Sequence, residues 1–335
     1  MPGLGILRAG PGATIQDGGR FRYRRYGVTP AGPMDWMAFC TANLALGNAR
    51  DAAVIEIALR GIELKCEETA LQVAFCGGAF QWQRNGKPLP SAMRLALQPG
   101  ETLGAKPGAW GAFAYLAVAG GFETAQVLGS HATQTRAHLG GIDGRMLQGG
   151  DRLPVAASLP VQMEAEIAAP WLARDDKALR VVLGPQQDYF SEEALANFFS
   201  AEYQLTHEAD RMAYRLAGPQ IAHARDFNIV SDGIALGAIQ IAGDGQPLVL
   251  MADHQPTGGY PKLGHVARAD IGRLAQLRPG ERCRFAPIGV DEARAAFLEA
   301  DDAIGETQRY LRPLRRTPTN EDLLRINLSS GFIDV

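Results

Sequence analysis

The chain has 335 residues, of which 46% are hydrophobic and 21% charged, with a formal net charge of −3. This is a globular composition with room for two ordinary domains and substantial cores, so extended disorder is excluded, and the charge argues against a nucleic-acid surface. Glycine is heavy, at 39 residues, about 12% against a usual ~7%, and because glycine serves where the backbone needs positive φ, the excess predicts many tight turns and a mainly β fold with a few short helices.

The N-terminal MPGLGILRAGPGATIQDGG carries one arginine, no long apolar run, and early Gly and Pro. It reads as neither a signal nor a transit peptide. No run of about 18 apolar residues occurs, so no membrane helix is expected and the protein is placed in the cytoplasm. Pro33–Asn48 predicts a helix with Asp35 at its start and Met37, Cys40, Thr41, Leu44 and Ala45 along one stripe. Ala70–Phe80 and Ala112–Phe122 are apolar runs ended by Gly-Gly, as buried strands meeting turns. Asn85-Gly86 predicts a two-residue hairpin turn. Gln98–Glu101 and Arg278–Glu281 are matching Pro-Gly turns. Proline and small polar residues over 156–176 mark a boundary, dividing the chain into lobes 1–160 and 161–290 and a C-terminal helix and tail, 291–335. Ser191–Tyr203 predicts a second helix with Ser191 as N-cap. Pro247–Asp253 reads as a buried strand. Asp291–Ile304 predicts a third helix with Ala293, Ala296, Phe297, Ala300 and Ile304 as its apolar stripe. The tail beyond it, with Arg315-Arg316, reads as a solvated arm.

General motif searches are negative. There is no phosphate loop, no dinucleotide fingerprint, no H-E-x-x-H and no G-x-S-x-G. The six histidines lack metal-ligand spacing, so no metal is expected. Cys40, Cys66, Cys76 and Cys283 form no C-x-x-C pair and read as small buried hydrophobes in a reducing compartment.

Four segments gather polar groups beside glycines. Thr14–Asp35 holds Gln16, Asp17, Arg20, Arg24, Arg25 and Asp35, and reads either as a site or as a solvated loop capping the first helix. His207–Pro219 holds Asp210, Arg211, Tyr214 and Arg215. Arginine forks suit bidentate capture of a carboxylate or phosphate, and equally suit surface ion pairs. Val230–Pro247 holds Asp232 in a turn and Gln240 in an apolar strand, where an amide needs a partner or a ligand. Val249–Gly264 leaves an apolar strand at Asp253 and runs through Gln255, Thr257, Gly258, Gly259, Tyr260 and Lys262. Together they point to recognition of a polar, anionic small molecule.

The same segments resemble the KipA family, also called allophanate hydrolase subunit 2 or the biotin-dependent carboxyltransferase family. The resemblance lies in Thr14-Ile15-Gln16-Asp17-Gly18-Gly19-Arg20, Gly27-Val28 through Met34-Asp35, and Asn43 through Gly47-Asn48. It continues in Glu56 with Gly61, in Asp210-Arg211-Met212-Ala213-Tyr214-Arg215, in Ser231-Asp232-Gly233, in Gly237-Ala238-Ile239-Gln240-Ile241 and in Asp253 through Lys262. It spans roughly Ile6 to Pro287. The family's usual Arg-Ser pair is replaced here by His131-Ala132, and the first Thr of its Gln-Thr-Thr by Pro256.

The resemblance implies a cyclophilin-like β-barrel in the second lobe and a KipI-like partner, allophanate hydrolase subunit 1. It implies the C component of an ATP-dependent 5-oxoprolinase, a hydrolase that opens 5-oxo-L-proline to L-glutamate. The KipI-like partner is its B component, and a further A component completes it. Two alternatives stand beside this. One is the carboxyltransferase part of a urea-type carboxylase, with biotin on another chain. The other is a regulator that binds a KipI-like kinase inhibitor. Attack on an amide-like or ureido group needs oxyanion donors and an acid–base pair. Asp35, Asp232 and Asp253 are the candidate bases, with Lys262 or Tyr260 the acid. Gln240, Gln255, Thr257 and the Gly258 and Gly259 amides are the candidate donors. Arg211 or Arg215, with Tyr214, is the candidate carboxylate clamp. Gln240, Asp253, Gln255, Thr257 and Tyr260 are expected to converge with one of these arginines on a single pocket. No cofactor is expected on this chain alone.

Overall fold

A computed structural model describes residues 2–155 and 163–314. The first half forms two antiparallel sheets. One runs, in spatial order, 152–154, 3–9, 62–66, 102–106, 81–84 and 87–89; the other runs 14–16, 54–57, 114–118, 71–76, 93–97, 165–167 and 311–313. The second half closes a seven-stranded barrel in the order 179–183, 262–266, 238–241, 247–250, 213–217, 202–209 and 282–287. The fold is therefore mainly β. Pro247–Leu250 of the expected buried strand lies in this barrel. Strands 165–167 and 311–313, which precede and follow the barrel in sequence, pair with each other, and 165–167 pairs with 93–97. Arg315-Arg316 and the segment at residue 160 lie outside the described residues.

The apolar runs of the first half are explained by burial on both faces. In strands 71–76 and 114–118, Val73, Phe75, Leu116 and Val118 point into the space between the two sheets. Their neighbours Ala74, Cys76, Tyr115 and Ala117 point the other way, into a core shared with the barrel. Phe75 stacks on Trp82 across the sandwich, ring centroids 4.0 Å apart. Each large side chain so buried contributes roughly 1.5–3 kcal/mol. Asn85 and Gly86 take φ of 51° and 77°, the pair of positive values that joins the twisted strands 81–84 and 87–89. The two Pro-Gly turns are built alike. The Gln98 amide donates to the Glu101 carboxylate and the Arg278 amide to that of Glu281, each at 2.8 Å.

Helix α1 spans Trp36–Ala45 and is capped by Asp35, whose carboxylate accepts from the Ala38 amide at 3.1 Å. The expected one-sided stripe is not what the helix shows. Ala38 through Asn43 are all buried, because α1 is wedged between the first-half sheet and the helices around the barrel. Helix α2, Glu192–Ser200, is capped by Ser191, and Tyr203 already belongs to the next strand. A short α3, Ile271–Ala275, carries no strong signal in the sequence. Helix α4, Val290–Gly305, half-buries the expected stripe and fully buries only Ile304.

Candidate functional site

The period of two that sorts the first-half strands also creates a buried polar centre. Ile55 and Ile57 face the sandwich, so Glu56 between them faces α1 and the barrel. Tyr115 is its cross-strand partner in 114–118 and shares that face. The Tyr115 hydroxyl donates to Glu56 Oε2 at 2.8 Å and accepts from the Asp35 amide at 2.7 Å. The Met34 amide also donates to Glu56 Oε2, at 2.8 Å. Asp35 is held from the far side by the Gln276 side-chain amide, 2.8 Å from Oδ2. Gly272 in α3 makes this possible, since a Cβ there would lie 2.5 Å from Asp35 Oδ1.

Arg211 arrives from the barrel. It sits in the turn between strands 202–209 and 213–217, where Asp210 Oδ1 accepts from the Met212 amide at 2.7 Å and fixes the loop. Its guanidinium takes Asp253 in a fork, Nε and Nη2 each at 2.9 Å, and its Nη2 also donates to the Gly32 carbonyl at 2.7 Å. Its Nη1 is paired with Glu56. Glu56 is fully buried and the Arg211 side chain only 14% exposed.

Burial sets the electrostatics of this centre. It pushes the Glu56 carboxyl up, against the pull of Arg211 and of the hydrogen bonds from Met34 and Tyr115. It pushes Asp35 up against the Gln276 bond, and drives the Tyr115 phenol well above its ordinary value. Burial alone would loosen the proton on Arg211, but the Asp253 and Glu56 carboxylates outweigh it and hold that proton more tightly than usual. The result is a fixed cation clamped by Asp253, next to two carboxyls disposed to keep protons.

A second cluster lies on the barrel. A register shift at Ile239/Gln240 sets Gln240 opposite Lys262, and such bulges re-aim side chains. Lys262 is 2% exposed, and its Nζ lies 2.8 Å from Oδ2 of Asp232, which is 54% exposed. The hydrogen bond from Lys262 holds the Asp232 carboxyl below its ordinary range, helped by the Gly233 amide and by Gln186. Strand 257–258 pairs with 232–233 and covers the cluster. A Cβ on Gly258 would fall 2.7 Å from Gln240 Nε2 and 2.5 Å from Ile234 Cδ1, so a larger residue there would push the ends of these two side chains aside. Gly259 has its nearest neighbour at 3.5 Å. The cluster offers an ammonium donor, a solvent-facing carboxylate and a side-chain amide, the elements of an acid–base site with oxyanion donors.

The expected single convergence therefore resolves into two clusters. Asp35, Arg211 and Asp253 come together with Glu56 and Tyr115. Asp232, Gln240, Thr257, Gly258 and Lys262 come together on the barrel, with Tyr260 lending its carbonyl to Gln240 Nε2 at 3.4 Å. Among the described residues no side-chain hydrogen bond or ion pair joins the two. Tyr214 donates to the Ala275 carbonyl at 2.9 Å, a packing role. Arg215 pairs with Asp244 and Glu208, apart from Asp253. The Gln255 carbonyl faces the His254 ring at 2.7 Å. A cleft of about 430 Å³ opens between sandwich and barrel, with Arg211, Tyr214 and Asp253 in its wall. No group of three or more His, Cys, Asp or Glu is placed to hold a metal among the described residues, and none of their helices is long and apolar enough to cross a membrane.

Residues 26–287 match the model of the carboxyltransferase domain, subdomain A and B. The chain belongs to this carboxyltransferase family. Among its relatives, the C component of 5-oxoprolinase from Haemophilus influenzae is 36% identical over 93% of this chain and 98% of its own. Its Escherichia coli counterpart is 35% identical over 95% of this chain and 100% of its own. The urea amidolyase of K. lactis superposes with a TM-score of 0.84 at 28% identity, over 94% of this chain and 21% of the larger one.

Within this chain the opening motif is a brace. Asp17 accepts from the Ser130 hydroxyl at 2.7 Å and the Gly19 amide at 2.9 Å. Arg20 donates to the Val127 and Ala132 carbonyls, at 3.0 and 2.7 Å. Gln16 accepts from the Gly32 amide at 3.2 Å, and so steadies the loop that offers Gly32 to Arg211. Ala132, where the family usually has serine, contributes only backbone to this brace, its carbonyl to Arg20 and its amide to the Ser130 hydroxyl at 3.0 Å. Tyr115 and Gln276 were not among the expected site residues. The available signal for Tyr115 was a hydroxyl inside an otherwise apolar strand, the same signal that singled out Gln240.

Proposed function

We propose that this chain is the C component of an ATP-dependent 5-oxoprolinase that opens 5-oxo-L-proline to L-glutamate. The observation that carries the reading is coextension: the match to the E. coli C component takes in 95% of this chain and 100% of that one. A ring amide is resistant to water, so its opening needs a stabilised oxyanion, an activated nucleophile and a proton for the departing nitrogen. In this reading Lys262 and Asp232 handle the proton, with Gln240 and the Gly258 amide as donors. Glu56, Asp35 and Arg211 lock the barrel to the sandwich and so position the cleft. A KipI-like B component and an A component complete the enzyme, ATP is consumed by the assembly, and the isolated chain is inactive. The test is co-expression of the three chains and measurement of glutamate from 5-oxo-L-proline with ATP. Activity is expected from the three together and from no smaller set. Full turnover by this chain alone contradicts the reading.

The likeness to K. lactis urea amidolyase, at a TM-score of 0.84, supports a second reading. In it this chain is the carboxyltransferase part of a biotin-dependent carboxylase for urea-like nitrogen compounds, with biotin carried by another chain. Bicarbonate- and biotin-dependent carboxylation of urea, with no glutamate formed from 5-oxoproline, favours this second reading over the first.

A further inference from the structure

The inter-lobe cleft poses a question about anion capture, since an arginine facing a cavity is the usual receptor for a carboxylate. Arg211 is not available for it. Asp253, Gly32 and Glu56 occupy its three nitrogens, and the forked Asp253 carboxylate already balances its charge. Arg215 is paired elsewhere. Two other guanidiniums line the same cleft, Arg60 from the sandwich and Arg136 from the loop after the brace. Arg60 is exposed and has no hydrogen bond or ion pair among the described residues. Arg136 has one contact, 3.4 Å to an Asp210 carboxylate that is itself 57% exposed. Such a pair is worth little and is easily exchanged for a ligand. The lining also includes the apolar Leu59, Phe113, Leu205 and Leu277, beside the carboxylates of Asp210 and Asp253.

From this layout we infer that the cleft binds a small organic carboxylate, its anionic end held by Arg60 and Arg136 and its methylene groups lying on those leucines and Phe113. The inference rests on the 5-oxoprolinase reading for the identity of the ligand, 5-oxo-L-proline, and makes the cleft a capture site apart from the Lys262–Asp232 pair, which does not line it. The cleft, at about 430 Å³, is roomy enough for one five-membered ring. Arg60 and Arg136 set specificity for the carboxylate and take no part in the chemical step.

The test uses the assembled complex with Arg60→Gln, Arg136→Gln and the double variant. Equilibrium dialysis with labelled 5-oxo-L-proline, without ATP, reads binding. Steady-state assay with ATP reads turnover. A charge-assisted bond lost on binding is worth about tenfold or more in affinity. Each single variant is expected to bind about tenfold more weakly and to raise KM in step, with kcat within about twofold. Competition by 2-pyrrolidinone, which lacks the carboxylate, should be unchanged. Equal binding by wild type and double variant, or no binding by wild type, overturns the inference. Arginine-dependent binding without any turnover sinks the 5-oxoprolinase reading and leaves the carboxylate site standing; turnover with arginine-independent binding does the reverse.

Discussion

Arg211→Met is the most informative single perturbation, because it strips a cation from between two buried carboxyls while keeping most of the side-chain volume. The fork to Asp253, the bond to the Gly32 carbonyl and the pair with Glu56 all disappear. Removing one partner of a buried ion pair typically costs about 3–5 kcal/mol. An independent route gives a similar figure. An ordinary carboxyl near pH 4 that must take a proton to stay buried at pH 7 costs about 4 kcal/mol, at ~1.36 kcal/mol per pH unit. Glu56 is already pushed up by burial, so its share is small and most of the cost falls on Asp253. The sign with pH follows. In the variant the folded-state carboxyls sit above their unfolded values, so folding retains more protons than unfolding, and stability falls as pH rises. The deficit relative to wild type should therefore be about 3–5 kcal/mol at pH 7 and shrink by about 2–3 kcal/mol at pH 5. Urea unfolding followed by tryptophan fluorescence and circular dichroism at both pH values reads it. Adding Glu56→Gln and Asp253→Asn should recover more than half of the loss. A deficit under about 1 kcal/mol, or one equal at the two pH values, refutes the reasoning.

Other outcomes follow from the same geometry. Gly258→Ala places a Cβ 2.5 Å from the tip of Ile234 and 2.7 Å from the Gln240 amide, so turnover of the assembled enzyme should fall several-fold as that amide is displaced. Gly259→Ala, with nothing nearer than 3.5 Å, should stay within about twofold; parity between the two variants in a parallel assay removes the argument. Lys262→Met takes away the largest cause of the low Asp232 titration, and carbon-detected NMR should show that carboxyl moving up into the ordinary range. Asp35→Asn removes a carboxyl that burial pushes up. The wild type loses stability as pH rises from the ordinary carboxyl value near 4 through that raised value and the Asn variant does not, so the stability difference should move in favour of the variant as pH rises above about 4. A difference that stays flat with pH counts against a raised Asp35.

Local signals in the sequence located the local features. Asp35 and Ser191 announced two helix starts because an N-cap acts over three residues, and Asn85-Gly86 announced a hairpin because only such pairs accept two positive φ values. The barrel was implied by the resemblance to the KipA family, and no periodicity of the residues themselves pointed to it. The buried centre was harder to see. Glu56 and Arg211 lie 155 residues apart, and no local pattern couples them. Tyr115 sits in a strand apolar on both faces, so its hydroxyl was hidden in a run that reads as core. The opening motif of Gln16, Asp17 and Arg20 stood out as a polar cluster, yet its side chains are spent on holding a loop. Charge density in a sequence marks where hydrogen bonds are needed, and a brace needs them as much as a site does.

The pairing of 165–167 with 311–313 has a consequence for how the molecule is made. The barrel is spliced into the edge of the sandwich, leaving and returning through adjacent strands. The outermost strand of that sheet is supplied by residues translated after the whole barrel. The sandwich edge at 93–97 must wait for 165–167, and that strand's outer side stays unpaired until the far end of α4 has emerged. Closing so long a loop late is slow, and an open strand edge in the meantime invites pairing with another chain. A ribosome-stalled chain truncated before residue 311 should therefore present a sticky sandwich beside a finished barrel. The same splice fastens both the entry to and the exit from the barrel to one edge of the sandwich.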